Sequence, residues 1–135
     1  MAVSINKLRG ISFEFQMRLK TQRIYNSDQL LEATRTPAGR KSVAEKMHVE
    51  TRLILEWANR ADLARVQGIG GVFSDLLEQA GVDTVKELAA RRPDNLHAKL
   101  VETNTNRRVA GRAPTLRAVE AWVAQARDLP KVLEY

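Results

Sequence analysis

The chain has 135 residues, with 22 Lys+Arg against 16 Asp+Glu, a formal net charge of +6 and a sequence pI near 10.1. At 44% hydrophobic and 28% charged it can bury a core, and its basic balance is compatible with a polyanionic partner. It has no cysteine, which excludes disulfides, thiolate metal sites, iron–sulfur clusters and Cys nucleophiles; no apolar run approaches the ~18 residues of a membrane span, and MAVSINKLRGISFEF lacks the apolar core of a secretory signal, so the expected location is the cytoplasm.

The local signals along the chain are nearly all helical. Leu8-Arg9-Gly10-Ile11-Ser12 places a glycine turn among apolar residues. Pro37 stands where a first helical turn tolerates proline. Ser42-Val-Ala-Glu45 reads as a capping box. Ser42–Trp57 faintly resembles a helix-turn-helix, with Ala44 as the buried small residue, Leu53 or Ile54 as the packing residue, and Met47-His48 in a turn without glycine; plain helix packing accounts for it better. Leu53, Trp57 and Ala61, with Ile54 and Ala58, form a helical stripe. The junction LILEWANRADLARV reads as helix rather than linker. The apolar run Val72–Ala80 is closed by Gly81, as by a C-terminal cap. Thr84-Val-Lys-Glu87 is a further capping box. Pro93 opens another helix, and His97 sits on a half-exposed helical face. Thr103–Ala113 (TNTNRRVAGRA) reads as a surface loop. Pro114 is placed in the first turn of the last helix, whose stripe is Leu116, Val119, Trp122, Val123 and Ala126. No period-2 run is long enough for a sheet. The expected fold is all-α, with eight to ten short helices.

Shifting the chain by 58 positions superposes its apolar skeleton: Ile5 meets Leu63, Leu8 Val66, Gly10 Gly68, Ile11 Ile69, Phe15 Phe73, Leu19 Leu77, Ile24 Val82 and Leu30 Leu88. Further on the shift is 65, pairing Ile54 with Val119, Trp57 with Trp122 and Ala61 with Ala126. The difference, 65 − 58 = 7 residues, is placed in Thr103–Ala113. The chain therefore reads as two copies of one unit, 1–62 and 63–135, packed as one compact domain.

The most informative stretch is Leu63-Ala-Arg65-Val66-Gln-Gly68-Ile69-Gly70-Gly71-Val72-Phe-Ser74-Asp-Leu-Leu77. Gly68 and Gly70 would allow positive φ and close backbone approach. Ile69 would plug the angle between two short helices. The N–H groups of Gly70, Gly71 and Val72 would point outward at a helix N-terminus, an arrangement that holds a phosphate without any side chain. The stretch resembles the helix-hairpin-helix motif, an apolar pair followed by Gly-apolar-Gly and a small residue: Leu63, Val66, Gly68, Ile69 and Gly70 fit, with Ser74 as the small residue. In the first copy Ser12 replaces the second glycine and Gln16 the small residue, so that copy is degenerate. The resemblance implies a SAM-like tandem fold and sequence-nonspecific contact with a nucleic-acid backbone. Over almost its full length the chain also resembles a bacterial family of uncharacterised two-repeat proteins. TPAGRKSVAEK, LEWANRADLARVQGIG, LLEQAGVDTVKELAARRPDNLHAKLVETN and VEAWVAQARDLP carry that resemblance. It implies the fold and no particular activity.

Charge is divided between the halves: 11 basic and 7 acidic residues in 1–62, 11 and 9 in 63–135, or +4 and +2. No half is therefore a dedicated basic module. The turn after Gly70, Gly71-Val-Phe-Ser-Asp75, has no base and ends in an acid, which counts against phosphate contact. Thr103–Arg117 has no acid at all and is the best candidate for an added contact. His48 and His97 are far apart and in no metal-binding spacing. No nucleophile elbow, Walker loop or dinucleotide fingerprint occurs. No catalytic residue, metal ligand or cofactor is expected, and the protein is read as a non-enzyme. The expected function is sequence-nonspecific binding of DNA or RNA backbone through Gly68, Ile69, Gly70 and Gly71, with Arg9, Arg65, Arg107, Arg108 and Arg112 neutralising neighbouring phosphates. The alternative is a protein-interaction or scaffolding module whose hairpins are purely structural. A monomer or weak dimer, with no membrane partner, is expected in either case.

Overall fold

The computed structural model describes residues 2–135. A 3-10 helix (Ile5–Lys7) leads into α1 (Phe13–Thr21), α2 (Ser27–Thr34), α3 (Pro37–Met47) and α4 (Thr51–Leu63). A glycine turn then opens α5 (Gly71–Gln79), α6 (Val85–Ala89), α7 (Pro93–Arg107) and α8 (Leu116–Asp128). The protein is all-α. Its only β-type pairing among the described residues is the isolated bridge between Ser4 and Asn26. No described helix is long and apolar enough to cross a membrane.

Side-chain caps fix most helix starts. Ser12, Asn26, Thr36, Thr84 and Thr115 each accept a hydrogen bond from the backbone N–H three residues on, a device contributing about 1 kcal/mol apiece. Thr84 works within a near-reciprocal box, since Glu87 accepts in turn from the Asp83 N–H at 3.2 Å. Two expected starts move. Thr36 and Pro37 begin α3, so Ser42 lies inside that helix and caps nothing. Pro114 precedes the Thr115 cap and stands outside α8. The expected loop at 103–113 is also shorter, because α7 continues to Arg107. Thr103 is buried, which ties this polar stretch to the interior, while the Thr105 hydroxyl turns back to donate to the Val101 carbonyl. Arg108 (φ 51°) ends it, and His48 (φ 57°) ends α3, each taking the left-handed place a glycine would fill.

Two apolar clusters divide the chain. One gathers Ile5, Leu19, Leu30, Ile54 and Trp57; the other Leu63, Leu77, Leu88, Val119 and Trp122. Each contains one tilted aromatic pair: Phe15 with Trp57 at 5.5 Å and 54°, Phe73 with Trp122 at 5.3 Å and 53°. α2 packs on α4 as α6 packs on α8. The helix starts Phe13 and Gly71, like Ser27 and Val85, are 58 residues apart, whereas Thr51 and Leu116 are 65 apart.

Residues 129–135 leave α8 without helix and strap the second set of helices to the first. Leu133 is buried in the first cluster, a contribution of roughly 1.5–3 kcal/mol. Around it the Glu134 N–H donates to the Arg35 carbonyl at 2.8 Å. The buried Arg40 guanidinium donates to the carbonyls of Thr34 and Glu134 at 2.9 and 2.7 Å.

Candidate nucleic-acid interface

The glycine turn before α5 has one side packed and one side open. Gly68 (φ 92°) takes the left-handed backbone, and a Cβ on it would lie 2.9 Å from Trp122 Nε1. Ile69 is buried in the second cluster. Gly70 differs from expectation: its φ is −103°, an ordinary extended value, so its use is not conformational. A Cβ there would meet open space. Gly70 is the N-cap of α5 and offers no side-chain acceptor to the first-turn amides. At the matching position Ser12 covers the Phe15 N–H with its hydroxyl at 3.3 Å. The second hairpin thus leaves uncapped amides where the first has a cap. Gly71 faces the other way: it is buried, and a Cβ on it would overlap the Lys7 carbonyl oxygen. The turn is open at Gly70 and closed by the first hairpin at Gly71.

Arg9 reaches across that junction. Its Nη1 lies 3.2 Å from Asp75 Oδ2 and donates to the Val109 carbonyl at 2.7 Å. Arg60 of α4 lies 3.1 Å from Asp75 Oδ1 and 2.8 Å from Glu78 Oε2. These two Arg60 contacts are close in distance but not aligned as hydrogen bonds. Asp75, the acid that counted against phosphate contact, therefore sits between two arginines. Arg9 remains 42% exposed on its side chain and lies beside the loop that follows α7. Exposed Arg107 reaches Gln79 at 3.5 Å, near the far end of α5, about 12 Å of helix from Gly71. Arg108 and Arg112 are exposed on the loop that follows α7. The structure thus brings Arg9 and the Arg-rich loop together along α5, with the open Gly70 at one end.

Arg65 does not join them. Its Nε and Nη2 both bond Asp62 Oδ1, at 3.0 and 2.7 Å, and its Nη1 bonds the Pro130 carbonyl at 2.9 Å. A guanidinium held by a buried carboxylate and turned toward the strap is not available to a phosphate at Gly70. The spacing of Asp62 and Arg65, three residues apart across the C-terminal end of α4, is the sequence signal for this pairing. Lys7 and Arg60 were the missed contributors: one supplies the backbone that closes the turn, the other the charge that balances Asp75.

Residues 9–129 match the family described as a domain of unknown function, DUF4332. The chain belongs to that family. No curated protein and no solved structure matches this DUF4332 chain. The matched range begins at Arg9 and runs to Leu129, so it contains the glycine turn, the Asp75 cluster and the Arg-rich loop of the DUF4332 domain.

Burial raises the pKa of Glu78, and Arg60 only partly offsets that effect. Burial likewise raises Asp83. A carboxyl raised in the folded chain holds its proton more tightly there than in the unfolded chain. Its contribution therefore favours folding at low pH and is lost as pH rises from the ordinary glutamate range through the raised value. Wild type should accordingly lose ground to Glu78→Gln as pH rises through that window. Urea midpoints of both proteins at several pH values check this; a stability difference that moves the other way would contradict the burial assignment.

Proposed function

We propose that this DUF4332 chain is a cytoplasmic, non-enzymatic protein that binds nucleic-acid backbone without sequence preference, using two helix-hairpin-helix-like repeats, 1–62 and 63–135. The uncapped, open N-terminus of α5 at Gly70 carries the reading. Its amides and helix dipole suit one phosphate. Arg9, Arg107, Arg108 and Arg112 would neutralise further phosphates along α5, while Gly68, Ile69 and Gly71 hold the turn in shape. Contacts of this kind carry no base information.

Gly70→Asp tests this directly. The position tolerates a side chain, and a carboxylate at an N-cap supports a helix. The variant should melt no lower than wild type, yet bind labelled duplex DNA about tenfold more weakly, the effect of one lost charge-assisted contact. Wild-type affinity should fall with salt at a log–log slope of about −0.9 per phosphate contacted. Binding indifferent to both salt and Gly70→Asp would sink the proposal.

The burial of Gly71 against Lys7 favours a second reading, a protein-interaction module with structural hairpins. In that case charge reversal at Arg107, Arg108 and Arg112 leaves partner recovery from cells unchanged.

A further inference from the structure

A cleft of about 220 Å³ lies on another face of the molecule, between α6, the end of α8 and the strap. Its floor is apolar, made by Val85, Ala126, Leu129 and Leu133. Five charged side chains line it: Asp62, Arg65, Lys86, Arg127 and Lys131. Asp62 is already satisfied, by Arg65 on one oxygen and by the Val85 N–H at 2.8 Å on the other. The remaining three charges are all cationic. Lys86 and Lys131 are exposed and make no ion pair among the described residues. Arg127 bonds the Ala89 carbonyl through Nε at 3.2 Å, an attachment that leaves its two Nη groups for a ligand. These three come from three separate elements, α6, α8 and the strap, and converge on one apolar floor.

An apolar floor with a few convergent polar groups is the general form of a small-ligand site. Cations with no internal partner on its rim set the sign of the ligand. The cavity is smaller than the roughly 300–1,000 Å³ typical of drug-sized ligands, so the ligand is compact. We infer that this cleft binds a small amphipathic carboxylate, with its apolar body on Val85, Ala126 and Leu129 and its head group among Lys86, Arg127 and Lys131.

Octanoate is the probe, with octan-1-ol as a neutral probe of the same body. Titration followed by amide NMR should give saturable shifts at Val85, Ala89, Ala126 and Leu129 with octanoate. Octan-1-ol should bind about tenfold more weakly, the cost of a lost charge-assisted contact. The double variant K86E/K131E should lose about tenfold in octanoate affinity or more with its thermal midpoint unchanged. K86Q/K131Q should fall between it and wild type, which keeps the comparison informative should charge reversal disturb folding. Absence of saturable octanoate shifts, equal affinity for octan-1-ol, or undiminished binding in both double variants would each overturn the assignment.

Discussion

Gly71→Ala is expected to destabilise the protein by roughly 3 kcal/mol, the upper end for forcing an atom into a packed site. For a chain of this size that corresponds to a melting temperature lower by about 10 °C. A Cβ at this position overlaps the Lys7 carbonyl oxygen, and Leu8 Cα lies 3.5 Å away. Both are backbone atoms of the first hairpin, so neither can rotate aside as a side-chain tip would. Relief requires moving α5 away from the first half and loosening the Arg9–Asp75 contact at 3.2 Å. Gly70→Ala is the matched control, one residue away but facing open space, and should change stability by no more than about 0.5 kcal/mol. Urea unfolding of the pair measures the difference. A Gly71→Ala protein within about 1 kcal/mol of wild type, an amount within ordinary mutational scatter, would show that the two hairpins are not held at this contact.

Asp62→Ala should cost a similar amount, about 3 kcal/mol, the low end for breaking a buried ion pair by removing one partner. The Asp62 side chain is 4% exposed and Arg65 13%, and that residual hydration of Arg65 sets the low end. The loss has two parts. Arg65 keeps its Pro130 contact but loses its counter-charge, and the Val85 N–H at the start of α6 loses its acceptor. Asp62→Asn separates them, since an amide oxygen can still accept from Val85. Stability should fall from wild type to Asp62→Asn and again to Asp62→Ala. Adding Arg65→Ala to Asp62→Ala should restore part of the loss by removing the unpaired guanidinium. Additive losses in this cycle would refute the coupling.

The helical class was legible because local rules decided it. Pro37, Thr84 and Pro93 start helices where local chemistry puts them, and Gly81 (φ 94°) closes α5. Ser42 misled because a capping box is a local pattern and Thr36, six residues earlier, had already nucleated the helix. Of the candidate site, the glycine turn was readable as a turn, but the separate uses of Gly70 and Gly71 were not. Nothing in Gly-Gly says which residue faces Lys7, 64 positions away, and which faces solvent. The arginines show the same limit. Arg9 and Arg65 looked equivalent as charges near a hairpin, yet one ends beside an exposed loop and the other on a buried carboxylate. Charge is read from the sequence; its neutralisation is decided by packing. The strap was invisible for the same reason, since LPKVLEY carries no periodic signal and takes its shape from what it touches.

The strap also orders events during synthesis. The cluster formed by Ile5, Leu30 and Trp57 receives Leu133 as one of its buried members. Glu134 meets Arg35 across 99 residues and Arg40 across 94. The half of the chain made first thus has its core completed only once Leu133 has been made. Contacts of such separation are slow to close. The first half of the fold therefore waits for the second before its core is whole.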